Sequence, residues 1–136
     1  QEMLADSRFE AGPCPGMGAI QDWAGSFTLD WYCLPSETGQ SSLTITVINS
    51  STIEIFDEDP PLSGDFNVYR ATRDPHDSHI VHGSFEETDG GGTYEEDFSW
   101  ILSEDGLSFR QVSEYFYLSG PFAGSGGVCG GEAVRN

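Results

Sequence analysis

Polar and apolar residues alternate along short segments of this chain, and this alternation most restricts its fold. In the segment Thr93–Leu102, for example, Phe98, Trp100 and Leu102 occupy every second position and polar residues fill most of the others. Successive side chains of a strand point to opposite faces of a sheet, so this pattern predicts a strand with one buried face. Ala19–Trp23 is the one segment in which we expect a helical turn. The sequence therefore predicts an all-β protein.

Eight segments have this strand character, and residues that favour turns separate them. Asn49-Ser50-Ser51 and Ser103-Glu104-Asp105-Gly106 predict two tight hairpins. Consecutive antiparallel strands with short connections favour an up-and-down β-barrel, with a β-sandwich as the alternative, because both arrangements protect sheet edges. The predicted strands are Ser26–Cys33, Leu43–Ile48, Thr52–Phe56, Asp65–Ala71, Ser78–Glu86, Thr93–Leu102, Leu107–Leu118 and Gly127–Arg135.

The length of 136 residues fits one folded domain. We assign residues 1–18, which are rich in Gly and Pro towards their end, to an irregular N-terminal arm, and residues 19–136 to the domain. Its content of 37% hydrophobic and 12% aromatic residues is too high for a disordered chain.

The charge is one-sided, with 23 Asp and Glu against five Arg and no Lys, a formal net charge of -18. We expect no binding to nucleic acid or to anionic membranes, because both require basic side chains. No hydrophobic run approaches the roughly 18 residues of a membrane span, so membrane insertion is not expected. The acidic surface is interpreted as a means of solubility, with binding of Ca²⁺ or of a basic partner as the alternative.

Three cysteines, Cys14, Cys33 and Cys129, contain no CxxC pair, which favours a disulfide over a zinc site. A disulfide indicates an oxidising compartment, so we expect a secreted, extracellular or periplasmic protein. The start at Gln1 fits a chain whose signal peptide has been removed. The odd cysteine and the arm suggest self-association, as in a structural or surface assembly subunit.

Two short segments resemble the calycin barrels, the group of lipocalins, fatty-acid-binding proteins and avidins. Trp23-Ala24-Gly25-Ser26-Phe27 is similar to the opening of their first strand, and Arg135 resembles the basic residue that they lay across that Trp. The resemblance implies that the first and last strands pair. Pairing Trp23 with Arg135 would place Cys33 within a few positions of Cys129, and a disulfide between them would close the barrel; pairing of Cys14 with either cysteine is the competing assignment.

The sixth and seventh predicted strands carry the candidate ligand site. Their inward positions are apolar at one end of the barrel, whereas the other end is polar and aromatic. The second of these strands would contribute Leu107, Phe109 and the polar series that begins at Gln111. Because buried polar groups need partners, this end is interpreted either as the mouth of a site for an uncharged or cationic small molecule or as a solvated end of a packed barrel. The candidate ligand-binding residues are Glu96, Trp100, Gln111, Ser113, Tyr115 and Tyr117.

Enzymatic activity is the less favoured hypothesis. Glu96 among aromatic side chains could act as a general acid or base in a cyclase or isomerase. We predict no catalytic residue beyond this alternative.

No cofactor is predicted, but two groups of residues have the chemistry of metal ligands. His76, His79 and His82 offer imidazoles for Zn²⁺ or Cu²⁺, with a surface cluster or a pH sensor as the alternative. The acidic turns Asp57-Glu58-Asp59 and Glu86-Glu87-Thr88-Asp89-Gly90 offer carboxylates for Ca²⁺, with solvated loops as the alternative.

The excess of acidic residues predicts that salt stabilises the fold. Screening extends over about 30 Å at about 0.01 M salt and over about 3 Å at about 1 M, so added NaCl should weaken repulsion and raise the melting temperature. With screening alone, CaCl₂ at equal ionic strength has the same effect, whereas a much larger effect of millimolar Ca²⁺ indicates a specific site in the acidic turns. A melting temperature that responds to neither salt would contradict the repulsion argument.

Overall fold

The computed structural model describes residues 18–136, in which a single turn of 3-10 helix, Ile20–Trp23, precedes eight strands. Most of the predicted arm, including Cys14, lies outside the described residues. The strands are β1 (Gly25–Cys33), β2 (Glu37–Val47), β3 (Thr52–Glu58), β4 (Phe66–Asp74), β5 (Asp77–Asp89), β6 (Gly92–Leu102), β7 (Ser108–Tyr117) and β8 (Gly126–Arg135).

Each strand pairs antiparallel with the next, and β8 pairs with β1 to close the barrel. The predicted eight-stranded up-and-down barrel is confirmed, and the β-sandwich alternative is wrong. The largest boundary error is in β2, which begins at Glu37 and not at Leu43. Its first six residues, Glu37 to Ser42, have no apolar alternation. They nevertheless pair with β1, from Cys33 opposite Glu37 to Thr28 opposite Ser42.

The closing seam has a different register from the predicted one. Arg135 pairs with Phe27, and Cys33 lies directly opposite Cys129, to which a disulfide joins it. The predicted pairing of Arg135 with Trp23 is wrong because Trp23 belongs to the 3-10 helix before β1 begins.

The 3-10 helix covers one end of the barrel, which we call the closed end. The Trp23 side chain is fully buried there, and its indole N–H donates to the carbonyl of Ser78 at 2.8 Å. Its ring lies 6.2 Å from that of Trp100 and 5.5 Å from that of Phe109. Burial of each such side chain contributes about 1.5–3 kcal/mol, so this end is a packed hydrophobic core. The other buried members that are large and fully enclosed are Phe27, Leu43, Ile53, Ile55 and Val81.

Arg135 connects three parts of the closed end. Its guanidinium donates to the carbonyls of Asp22, at 2.5 Å, and Ala24, at 2.6 Å, which flank Trp23, and its Nε donates to the carbonyl of Gly106 at 2.9 Å. The guanidinium carbon lies 4.5 Å from the centre of the Phe27 ring. Arg135 thus holds the 3-10 helix and the β6–β7 turn against the end of β8.

Leu107 does not belong to the inward face as predicted. It precedes β7, and its side chain is 56% exposed. The inward alternation of β7 begins at Phe109, because Leu107 still belongs to the turn that the bond from Ser103 N to the carbonyl of Ser108 closes. No helix within residues 18–136 has the length and hydropathy needed to cross a bilayer.

Removal of the disulfide should strongly destabilise the barrel. The bridge spans a sequence separation of 96 residues, and a loop of that size corresponds to about 4–5 kcal/mol in the chain-entropy model. We expect the C33A/C129A variant to lose a free energy of unfolding of this order in urea titrations. Reductant should destabilise the wild-type protein to a similar extent and leave the variant unaffected, whereas equal stability of the two proteins would contradict this role.

Candidate functional site

A cavity of about 540 Å³ occupies the end of the barrel opposite the 3-10 helix, which we call the open end. The β1–β2, β3–β4, β5–β6 and β7–β8 connections surround it. Polar residues such as Ser41, Glu96 and Gln111 hold several of the inward positions at this end. Gly39 leaves room for the Trp31 indole, since a methyl group at this position would lie 2.2 Å from that ring.

Aromatic side chains form much of the cavity wall. Tyr69 stacks on Phe85 with 4.7 Å between ring centres. On the other side Tyr94 lies 5.3 Å from Tyr117 and 6.1 Å from Tyr115. The aromatic residues that line the cavity are Trp31, Phe66, Tyr69, Phe85, Tyr94, Tyr115 and Tyr117. Such rings can contact the flat apolar part of a ligand.

A chain of buried hydrogen bonds connects the packed core with the cavity floor. The Trp100 indole donates to Gln111 Oε1 at 2.8 Å, Gln111 Nε2 donates to the Ser113 hydroxyl at 3.4 Å, and this hydroxyl donates to Glu96 Oε2 at 2.7 Å. Burial raises the pKa of Glu96 above its ordinary value, although the bond from Ser113 opposes this shift. The chain fixes the orientation of the polar groups at the floor.

The predicted ligand-binding residues fall into two groups. Glu96, Gln111, Tyr115 and Tyr117 line the cavity. Ser113 and Trp100 do not line it: the Ser113 hydroxyl bonds to Glu96, and Trp100, 1% exposed and part of the packed core, bonds to Gln111.

Among the described residues, all Asp, Glu, Arg and His side chains that line the cavity are Asp or Glu. The seven carboxylates belong to Glu37, Asp57, Asp59, Asp65, Glu87, Asp89 and Glu96. Within residues 18–136 no Arg or His side chain lines the cavity, and the sequence contains no Lys. Among the described residues, no neighbouring cation therefore balances the negative potential of the cavity.

The donors that hold these carboxylates are uncharged. The Trp31 indole donates to Asp59 Oδ2 at 3.0 Å, and the Tyr117 hydroxyl donates to Asp89 Oδ2 at 2.7 Å. Burial raises the pKa of Asp59 and of Glu87. Neutral donors orient these groups without removing their charge.

Asp57 is the most unusual of these carboxylates. Its Oδ2 accepts a 2.5 Å hydrogen bond from the Tyr69 hydroxyl, whereas its Oδ1 is buried without a hydrogen-bond partner. Burial raises the pKa of Asp57 to about 6; the hydroxyls of Tyr69 and Ser41 oppose this effect, and the negative charges of Asp59 and Glu87 add to it. The Ser41 hydroxyl lies near this carboxylate, yet Oδ1 has no partner in hydrogen-bond geometry. Buried polar atoms are nearly always paired, so this oxygen is open to a donor in the cavity.

The three histidines lie at the closed end, away from the cavity, and in separate surroundings. His79 is buried, with Nε2 at 2.8 Å from Asp22 Oδ2. His82 is exposed, with Nε2 at 3.1 Å from Asp74 Oδ1, and the His76 backbone N–H donates to the other Asp74 oxygen at 2.9 Å. In the described part of the chain, no three His, Cys, Asp or Glu side chains form a group with metal-ligand geometry.

The acidic turns contribute to the cavity in a way that the sequence analysis missed. Asp57 and Asp59 continue the inward face of β3 from Ile53 and Ile55, and Glu87 and Asp89 continue that of β5. The period-2 alternation could have identified them if the predicted strands had been extended by two or three residues.

Comparisons with known proteins support the fold. No family model matches the chain, and no curated protein matches it. One similar solved structure is that of EF1p2_mFAP2b bound to DFHBI, with a TM-score of 0.69 and 14% identity over 87% of this chain and 97% of the other. Another is that of a redesigned beta barrel, mFAP1, bound to DFHBI, with a TM-score of 0.62 and 12% identity over 87% of this chain and 98% of the other. At these identities the likeness establishes the barrel fold alone.

The raised pKa of Asp57 predicts that its ionisation weakens the folded state. Because the pKa rises from 3.8 to about 6 on folding, the folded protein binds this proton more tightly, and stability falls as the pH rises through this interval. Asp57→Asn should therefore stabilise the protein at pH 7.5 by about 1–2 kcal/mol after allowance for solvent screening. The gain should shrink as the pH is lowered from 6 and disappear below about 4.

Urea titrations between pH 3.5 and 8 measure this difference. The control is Asp97→Asn, which removes one negative charge from the exposed outer face of β6. A gain for Asp97→Asn equal to that for Asp57→Asn would assign the effect to net charge and contradict the role of burial.

Proposed function

We propose that this protein is an extracytoplasmic β-barrel that binds a small ligand in the cavity at its open end. The observation that carries the proposal is the hollow end itself, since its volume of about 540 Å³ falls within the range of about 300–1,000 Å³ typical of small-molecule sites. A barrel of eight strands has just enough interior space either to be filled by side chains or to hold one small ligand.

The lining has the composition expected of a ligand site. Aromatic rings supply contact area, and Glu96 and Gln111 present oriented polar groups at the floor. Hydrogen bonds with Ser113 and Trp100 hold these two side chains in position. A solvated barrel end does not require such a buried, fully connected hydrogen-bond chain.

Three further observations support the proposal. Two barrels with the same fold were solved with the small molecule DFHBI bound, so this architecture has room for a small ligand. The disulfide between Cys33 and Cys129 fits an oxidising compartment and thus an extracytoplasmic location. Arg135 bonds to the carbonyls on both sides of Trp23, which supports a calycin-like relationship.

Binding can be tested with N-phenyl-1-naphthylamine, a neutral aromatic probe that fluoresces in apolar surroundings. We expect its emission to rise with the wild-type protein and the melting temperature to increase with probe concentration, since a ligand at about 100 times its Kd stabilises by about 2.7 kcal/mol. Ser41 lines the cavity and is 3% exposed, so Ser41→Phe should fill the space and abolish the response.

The matched control is Thr44→Phe, which adds the same side chain to the exposed face of the same strand. It should leave the response intact. Equal responses of the two variants would place the probe outside the cavity and contradict the proposal, as would the absence of any response in the wild-type protein. Circular dichroism checks that both variants keep the barrel fold.

A further inference from the structure

The charge of the cavity restricts the chemistry of its ligand. Seven carboxylates line the cavity, and the described residues place no basic side chain beside them. Walls of low dielectric concentrate the field of such groups, so an anion is repelled and a cation is attracted. A neutral ligand would leave the buried charge without compensation.

The end of β3 provides the point at which a cation can be held. Asp57 lies near the end of this strand and Asp59 directly after it, and both side chains line the cavity. Asp57 Oδ1 is buried without a partner in hydrogen-bond geometry. In contrast, Asp57 Oδ2 accepts a bond from Tyr69, and Asp59 Oδ2 accepts one from Trp31. An ammonium group has up to three N–H donors and no acceptor, which is what an unpaired carboxylate oxygen requires.

The rings beside these carboxylates add to the attraction. Tyr69 and Trp31 are each joined by a hydrogen bond to one of the two carboxylates, and Phe85 stacks on Tyr69. A cation within about 6 Å of an aromatic ring face is attracted by the negative charge of that face. A ligand with both a positive charge and an apolar body would therefore use both features of the wall.

We infer that the ligand of this cavity is a small arylalkylamine, an aromatic ring that carries an amino group on an alkyl chain, and that its ammonium group pairs with Asp57 and Asp59 beside Tyr69 and Trp31. This inference rests on the proposed function and specifies its ligand class. A metal ion fits less well, because within residues 18–136 the carboxylates do not form a group of three with metal-ligand geometry. The cavity of about 540 Å³ also leaves room for the organic part of an amine.

The inference is tested with three compounds that share a phenyl ring and differ in charge: 2-phenylethylamine, 2-phenylethanol and phenylacetate. Binding to the wild-type protein is measured by isothermal titration calorimetry at neutral pH. We expect the amine to bind at least 10-fold more tightly than the alcohol and phenylacetate to bind most weakly. Equal affinity of the amine and the alcohol overturns the inference.

Variants locate the charge. Asp57→Asn and Asp59→Asn together should weaken amine binding at least 10-fold and change the affinity for the alcohol less than threefold. Asp97→Asn, on the exposed outer face of β6, should change neither affinity. Two results would contradict pairing at Asp57 and Asp59. One is that Asp97→Asn lowers the affinity for the amine as much as the double variant does, and the other is that the double variant lowers the affinities for the amine and the alcohol equally.

A competition with CaCl₂ at constant ionic strength separates the amine from a metal ion. Displacement of the amine by micromolar Ca²⁺ would assign the carboxylates to a metal and overturn the inference.

The neutral probe N-phenyl-1-naphthylamine distinguishes failure of the ligand class from failure of the proposed function. If the probe enters the cavity of the wild-type protein and not that of Ser41→Phe, but the amine does not bind, the ligand class is wrong and the proposed function stands; if neither binds, both fail.

Discussion

The pairing of β1 with β8 is the constraint on which the rest of this structure depends, because it turns a row of hairpins into a closed barrel without exposed edges. The seam is fastened at both ends. At the closed end Arg135 bonds to the carbonyls of Asp22 and Ala24, and at the open end the disulfide joins Cys33 to Cys129. These two fastenings keep the barrel closed even where its interior lacks a packed core.

Closure with eight strands also sets the interior width, so side-chain size decides whether a given level of the barrel is filled or hollow. Trp23, Trp100 and Phe109 fill the closed end, where their rings contact one another. Towards the open end the inward positions of β6 and β7 become polar, and the bonds from Gln111 to Glu96 form the boundary between the two levels. The barrel therefore separates stability at one end from a candidate binding site at the other.

The alternation of polar and apolar residues was sufficient to predict the barrel, because each strand has one buried face. It located the polar floor for the same reason, since Glu96 and Gln111 continue the inward parity of buried residues. It did not predict that Trp23 lies before the first strand, and this displaced the closing register. The parity of one strand says nothing about its offset from a strand that is far away in sequence.

The missed part of the site has a more specific physical cause. Acidic residues at the end of an apolar run usually indicate a solvated turn, so β3 was expected to end at Phe56 and the carboxylate of Asp57 to face water. The hydroxyl of Tyr69, from the neighbouring strand, holds that carboxylate inside the barrel. This contact between strands could not be derived from β3 alone.

The acidic character of the chain thus has two physically different parts. Carboxylates on the outer face remain hydrated and increase solubility at little cost. Those on the inner face lose hydration, which is why burial raises the pKa of Asp57, Asp59 and Glu96. Solubility does not account for carboxylates that line the cavity and lose hydration there. Such charges are the kind of local cost that proteins carry at functional sites, and a positively charged ligand would offset it directly.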